Sequence, residues 1–362
     1  MSLTYYELPV NDPLWSIPGT FDTRFNWEYD DQRAQLVTLY GKGKSKQWDS
    51  EKRLDWSIQV DPTSAENGPD FYIPIFGSPT WEKLSEKNKG EVRHHIGSWL
   101  NSQFLHGEQG ALVCTAKIVQ AVPDIDSKFY AATQVMDEAR HVETYSRYLR
   151  EKIEMAYPIN KYLKTLLDQV LQDSRWDFTY LGMQIMIEGL ALAAFGMIRD
   201  YSTEPLAKAI NTYVMQDEAR HVAFGRLALR DYYPQLTEAE RAEREDFIVE
   251  ASFLMYGRFL AEEVWRHMGF DLDEVLEYTR NSEMMIAFRK MLFSRIVPIV
   301  RDIGLLGPRV TKAFEELGVL EFKDFDADEL SIADEQIAEE MDQRRREIED
   351  MVRLGRGGET EA

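Results

Sequence analysis

Asp137-Glu138-Ala139-Arg140-His141 returns, letter for letter, as Asp217-Glu218-Ala219-Arg220-His221, 80 residues further on. The chain has only six histidines, and two of them stand in these pentads. On an α-helix, residues three apart share a face, so Glu138 with His141, and Glu218 with His221, each aim a carboxylate and an imidazole at one point. Such a pair is an incomplete metal site.

The missing ligands lie upstream at matched distances. Glu108 precedes Glu138 by 30 residues, and Glu188 precedes Glu218 by the same 30. A break at Val122-Pro123-Asp124 divides the first interval, and Tyr201-Ser202-Thr203-Glu204-Pro205 divides the second. Each leg then runs about 20 Å at about 1.5 Å per residue, so both carboxylates of a pair finish level on antiparallel helices. Thr203 is the expected N-cap of the last helix, with Pro205 in its first turn. Four helices thus bring Glu108, Glu138, His141, Glu188, Glu218 and His221 to one level of a bundle.

A purely structural account would use Arg140 and Arg220 to neutralise Glu108 and Glu188. It leaves the twin Glu-x-x-His pairs and the twin spacings unexplained. Four carboxylates and two imidazoles around one cavity are the ligand set of a dinuclear iron or manganese centre.

Composition narrows the alternatives. The chain has 362 residues, 44% hydrophobic, which is enough for a large core. With 63 acidic against 42 basic residues its formal charge is −21, an unsuitable balance for nucleic acid or an anionic membrane. A single cysteine, Cys114, excludes intrachain disulfides and points to a reducing, cytoplasmic setting. Residues 1–7, MSLTYYE, show no basic or apolar leader pattern, so no secretion signal is expected. Leu181 to Ile198 imitates a membrane span, but Gln184 and Glu188 inside it favour a helix buried in protein.

In chain order, residues 1–80 are rich in aromatic, Pro and Gly residues, including Pro9, Pro13 and Pro18. They read as a wrapping extension with one helix from Asp30 to about Tyr40. Trp48 and Trp56 flank its charged stretch QWDSEKRLDW, as aromatic anchors. Residues 81–235 form the bundle, whose first helix, from Pro79 to about Val122, has candidate breaks at Gly97 and Gly107. His94, His95 and His106 on that helix read as structural. The pentads, with Val135-Met136 echoed by Val214-Met215, describe a duplicated helical hairpin. Residues 236–320 add packing helices, one from the cap Thr237 to about His267 and one from Asp273 to Ile303 interrupted at Pro298. Residues 321–362 form a charged tail, a peripheral helix with a frayed polar end, GRGGETEA.

The doubled Asp-Glu-x-Arg-His resembles the ferritin-like diiron-carboxylate oxygenases, a superfamily that includes multicomponent monooxygenase hydroxylases, benzoyl-CoA epoxidase and the ribonucleotide reductase small subunit. The likeness covers about residues 85–233. It implies an all-α, ferritin-like four-helix bundle with flanking helices and two iron ions, Fe/Fe or Mn/Fe. Glu108, Glu138 and His141 would hold one metal, and Glu188, Glu218 and His221 the other, some carboxylates bridging. Asp137 and Asp217 would accept from the ligating imidazoles, with Arg140 and Arg220 paired to those aspartates. Tyr145 stands where the reductase subunit carries its radical tyrosine; the twin position is Gly225. Leu192, four residues after Glu188, replaces the threonine of the methane and toluene hydroxylases.

Residues three, four or seven positions from the ligands, Phe104, Ala111, Leu112, Ile185, Ala191, Leu192, Phe195, Met215 and Gly225, describe an apolar substrate cavity. The implied activity is an O2-activating monooxygenase that hydroxylates, epoxidises or N-oxygenates a small, largely apolar molecule. Two external electrons from a reductase or ferredoxin would be required, and relatives are commonly homodimers. A radical-generating reductase subunit and a ferroxidase or iron-storage protein are the alternatives: Tyr145 supports the first, although GETEA lacks an apolar docking tail, and about 200 residues beyond the bundle weigh against the second.

Overall fold

The computed structural model describes residues 4–5, 15–30 and 33–357, with the side chains of 4, 5, 345 and 348–357 left aside. Pro9, Pro13, most of the leader stretch and the last five residues of the polar end lie outside the described residues. The fold is all-α. Among the described residues the principal helices are α1 Ala34–Ser45, α2 Glu86–Ala121, α3 Ile125–Tyr148, α4 Lys161–Gln172, α5 Trp176–Tyr201, α6 Pro205–Tyr232, α7 Glu238–Gly257, α8 Glu262–Met268, α9 Leu272–Asn281, α10 Glu283–Met291, α11 Ile296–Asp302, α12 Pro308–Glu316 and α13 Ala327–Gly357. Among the described residues the one sheet is a two-residue parallel pairing of Thr4 with Met155 and Tyr5 with Ala156.

Two antiparallel hairpins, α2–α3 and α5–α6, make the central four-helix bundle. Polar caps place their ends. The Ser85 hydroxyl accepts from Asn88 N at the start of α2, and the Asp124 carboxylate accepts from Ser127 N at the start of α3. Glu204, rather than Thr203, caps α6: its carboxylate accepts from Leu206 N and Ala207 N, with Pro205 at the first helical position. A longer side chain reaches both amide groups, where the shorter threonine was expected.

Gly97 and Gly107 do not break α2, which runs unbroken for 36 residues after a separate turn at Pro79–Glu82. Packing along the bundle outweighs the roughly 1 kcal/mol cost of a helical glycine. Helix α5 is the apolar segment, long and apolar enough to cross a membrane by length and composition, and 83% of its apolar window is buried inside the protein. Its Leu181–Ile187 portion is a π-helix, directly before Glu188. The widened turn changes the angular phase at which Glu188 leaves the helix.

The outer helices depart from expectation where local geometry intervenes. The stretch expected to run from Thr237 to His267 ends as α7 at Gly257, passes through a 3-10 turn at Arg258–Leu260, and restarts as α8 after Ala261. Ala261 adopts the left-handed conformation, φ 50°, uncommon for a residue with a Cβ. Thr237 does cap α7, reciprocally with Glu240. Pro298 lies inside α11, at its third residue, where its missing N–H had no helical partner anyway; the breaks fall at Ser282 and around Leu292–Ser294 instead. The first helix is shifted to α1. The expected tail is the 31-residue helix α13, held across the bundle by Asp334 on Arg199 and Arg295 at 3.2 and 2.9 Å and by Asp342 on Arg53.

Candidate metal centre

Each bundle helix contributes to one buried cluster: α2 gives Glu108, α3 gives Glu138 and His141, α5 gives Glu188, and α6 gives Glu218 and His221. All six side chains are at most 5% exposed. Their ligand atoms form two overlapping groups, Glu108, Glu138, His141 and Glu218, then Glu138, Glu188, Glu218 and His221, with the atoms of each group within 4.8 Å of one another. Glu138 and Glu218 belong to both.

The imidazoles are oriented by what flanks them. His141 Nδ1 lies 3.1 Å from both Glu108 Oε2 and Glu218 Oε1, and His221 Nδ1 lies 3.1 Å from Glu138 Oε1. On the opposite edge, His141 Nε2 is 3.1 Å from Asp217 Oδ2, and His221 Nε2 is 3.2 Å from Asp137 Oδ2. The pairing is crossed, each histidine using the aspartate of the other pentad. With Nε2 carrying the proton, both Nδ1 lone pairs point into the carboxylate cluster.

Arg140 donates to Asp137 at 2.5 Å and to Asp217 at 2.8 Å, and Arg220 donates to Asp217. The two arginines balance the two aspartates. Four glutamates are then left to the two imidazoles, and two divalent metal ions would supply the balancing charge. The donor atoms agree: Glu138 Oε2, Glu188 Oε2, Glu218 Oε1 and His221 Nδ1 are buried without a hydrogen-bond partner. Orphaned acceptors converging from three helices are costly unless something occupies the point they face.

Electrostatics carries the same sign. Burial, with neighbouring carboxylates, raises Glu108 and Glu188 well above the ordinary carboxylate range. Burial also opposes ionisation of Glu138, but the two imidazoles outweigh it and hold that carboxyl low. For His141 and His221, burial disfavours the charged ring, yet the surrounding carboxylates prevail and raise both. Without metal, the cluster retains protons where metal would otherwise be.

Three partners around the centre escaped sequence reading. Gln134, one turn before Glu138 on the same face, donates at 3.0 Å to both Glu138 Oε1 and Glu188 Oε1. Its i, i+4 spacing was a legible signal; the twin position is Val214. Trp48, expected only to anchor the extension, donates its indole N–H to Asp217 Oδ2 at 2.7 Å, and Gln47 donates to Asp137 Oδ1 at 2.6 Å. Their segment lies outside any regular helix and no periodicity points to it.

A cavity of about 20 Å³, room for about one water, adjoins the carboxylates. Phe104, Ala111, Ala191 and Phe195 line it, together with Gln103, Leu190, Arg258 and Phe259. Leu112, Ile185, Leu192, Met215 and Gly225 are not among its walls. Met215 Sδ instead meets Arg199 Nη1 at 3.2 Å, and Gly225 is where α6 presses on Gln184 and Ile185 of the π segment. The π-helix shifts the face on which the spacing from Ile185 to Glu188 had been counted. Tyr145 is buried between Phe104 and Phe195 and donates its phenol O–H to Asn211 Oδ1 at 3.1 Å. His94, His95 and His106 bond Ile153 O, Tyr157 Oη and Tyr157 O, away from the cluster.

A family model described as p-aminobenzoate N-oxygenase AurF matches residues 30–304. None of the curated proteins matches the sequence. Similar solved structures include three mutants of an R2-like ligand-binding oxidase with an anaerobically reconstituted Mn/Fe cofactor, 15–16% identical, with TM-scores of 0.45–0.46. Those alignments cover 78% of this chain and 95–96% of theirs.

Proposed function

Since the chain belongs to the p-aminobenzoate N-oxygenase AurF family, a family of diiron oxygenases, we propose that it N-oxygenates a small aromatic amine at two irons held by Glu108, Glu138, His141, Glu188, Glu218 and His221. The observation that carries the ligand assignment is the set of orphaned carboxylate and imidazole atoms on α3, α5 and α6, with Glu108 of α2 grouped beside them.

Two bound irons would supply the redox chemistry through which O2 becomes reactive. The chain's own residues do the rest. Glu138 and Glu218, which belong to both ligand groups, would each serve both metals, and Glu108 and Glu188 one metal each. Asp217 and Asp137 hold the imidazoles in one tautomer, and Gln134 restrains two of the glutamates. Phe104, Ala111, Ala191 and Phe195 keep bulk water from the reacting atoms.

Placing one oxygen atom of O2 on the amine nitrogen and reducing the other to water consumes two electrons and two protons. A separate ferredoxin or reductase provides the electrons, and a formal charge of −21 gives it a field to dock in if its own face is basic. The test is oxygen uptake by iron-loaded protein given 4-aminobenzoate and a chemical reductant, with mass spectrometry of the product formed under 18O2. A labelled hydroxylamine, nitroso or nitro product supports the reading. Uptake without labelled product, or iron mineral accumulating to many atoms per chain, sinks it.

A further inference from the structure

The hairpin α2–α3 turns toward solvent a face poorly suited to water. On α3, Phe129, Ala132, Met136 and Ala139 are all exposed, Phe129 at 39% and Met136 at 62%. On its neighbour α2, Leu112 and Ala116 are half-buried and Val113 is 49% exposed. Every Asp, Glu, Lys and Arg between Leu105 and Gln120, and between Phe129 and Val142, is buried. In a chain of formal charge −21, an apolar face that shows no charge along two helices is an interaction surface.

The duplicated hairpin supplies the comparison. At an offset of 80 residues, Phe129, Ala132, Met136 and Ala139 become Ala209, Thr212, Gln216 and Ala219, the last three at most 4% exposed. Helix α13 runs along that part of α6, from Asp328 on Arg226 to Asp342 beside the Tyr213 phenol. Leu112 and Val113 correspond to Leu192 and Ala193, which are buried. Among the described residues nothing plays the part of α13 on the first hairpin. Yet the uncovered copy carries the larger apolar side chains, Phe for Ala and Met for Gln, the reverse of what water favours.

We propose that a second copy of this chain covers the face, the two α3 helices packing antiparallel about a twofold axis at the level of Gln134. The alternating three- and four-residue spacing from Phe129 to Ala139 is that of a seam between two helices. In this register Phe129 of one copy lies opposite Ala139 of the other, and Ala132 opposite Met136. An isologous contact makes each pair twice, and each pair sets a large side chain against a small one, as close packing requires. The absence of exposed charge lets two acidic chains meet here, and gives an electron donor recognised through charge little to hold. The N-terminal extension adds an arm. Arg24 N donates to Gln120 O and Asn26 Nδ2 to Pro123 O, pinning the arm at the α2–α3 connection. Around these anchors Phe25, Trp27 and Tyr29 are 78%, 76% and 63% exposed, Phe25 stacked on Trp27 at 5.9 Å. Antiparallel pairing carries the arm of each copy to the far end of the other's face. Two helices about 9 Å apart and about 24 Å long, with three aromatics able to bury about 150–250 Å² each, reach the roughly 800 Å² per partner of a stable interface.

The experiment is sedimentation velocity of the iron-loaded full chain over a range of concentrations. The wild type should run as a dimer at low micromolar concentration. Met136→Glu and Ala132→Glu, at positions exposed in a single copy, should run as monomers with unchanged circular dichroism and iron content. Trp27→Ala should weaken the dimer about tenfold or more. Exchange tests the register: Met136→Ala and Ala132→Met should each weaken the dimer, and the double variant Ala132→Met/Met136→Ala should recover it, because a large side chain again faces a small one. A wild type that stays monomeric throughout, including one that floats with phosphatidylcholine vesicles, overturns the proposal. So does a dimer that both glutamate variants leave intact, or an exchange that fails to restore what the single changes weaken. Should a glutamate variant lose its helical spectrum, the exchange decides.

Discussion

His141 of one pentad hydrogen-bonds Asp217 of the other, Nε2 to Oδ2 at 3.1 Å, and His221 returns the contact to Asp137 at 3.2 Å. The duplicated motif is therefore not two independent sites side by side. Each half orients the other's imidazole, and the two ligand groups are coupled through aspartates as well as through Glu138 and Glu218.

The two aspartates are unequally loaded, which gives a first prediction. Asp217 also accepts from Trp48, Arg140 and Arg220, whereas Asp137 has Gln47 and Arg140. Asp217→Asn should lower affinity for the iron nearer His141 about 10- to 100-fold. Trp48→Phe should reproduce a smaller part of that loss. Calorimetric titration of metal-free protein with ferrous ion under anaerobic conditions measures both, and equal effects at the two irons would rule out the crossed arrangement in solution.

Ligand sharing makes a second prediction about stoichiometry. Glu138→Ala or Glu218→Ala should empty both positions, because each residue contributes to both groups. Glu108→Ala or Glu188→Ala removes a ligand from one group only, and should leave about one iron per chain. Metal analysis after gel filtration reads the count, with circular dichroism verifying that the helices persist.

The third prediction concerns pH. Glu108, Glu188, His141 and His221 all have pKa values raised by the fold. A raised group binds more protons folded than unfolded, so its contribution is present below its unfolded pKa and lost as pH rises toward its folded value. Metal-free protein should thus melt at progressively lower temperature as pH increases above about 4.5, the unfolded carboxylate value. Iron loading replaces those protons and should flatten the dependence while raising the melting temperature. Asp217, held low mainly against burial by Arg220, His141 and Arg140, acts oppositely and only in acid. A metal-free melting temperature that climbs between about pH 5 and about pH 8 would contradict the buried carboxylate cluster.

Helix packing around the π segment supplies the fourth. A Cβ at Gly225 would stand 2.6 Å from Gln184 Cβ and 3.2 Å from Ile185 Cδ1, and one at Gly182 would stand 2.2 Å from Val170 Cγ2. Neither Gln184 Cβ nor Val170 Cγ2 is the loose end of a long chain, so α5 would have to move. Gly225→Ala and Gly182→Ala should each destabilise by about 1–3 kcal/mol, and Gly41→Ala, with nothing near, should not. Urea unfolding of the three variants decides this.

Much of this molecule is local arithmetic and was readable. Three-residue spacing on a helix puts Glu138 beside His141 whatever surrounds them. The 30-residue intervals set Glu108 and Glu188 level with the pentads because rise per residue is constant, and Thr237 marks a helix start by chemistry confined to four residues. The all-α, ferritin-like bundle and the convergence of the six side chains follow from those rules. Where a rule had a near competitor it erred: Glu204 outreached Thr203 as a cap, and the bundle's packing held Gly97 and Gly107 in helix.

What sequence could not settle are relations between elements far apart in the chain. Periodicity states which face of one helix is apolar, not which neighbour that face meets: the π-helix before Glu188 re-aims Ile185, and Gly225 lies where α6 presses on that same segment. Trp48 meets Asp217 across 169 positions of sequence. Arg258 enters the cavity because a helix breaks at Ala261. By itself the sequence determined which carboxylates and imidazoles could converge on one level of the bundle. Tertiary structure alone decided which carboxylates belong to both ligand groups and which aspartate orients which imidazole, because those depend on how helices rotate and pack against one another.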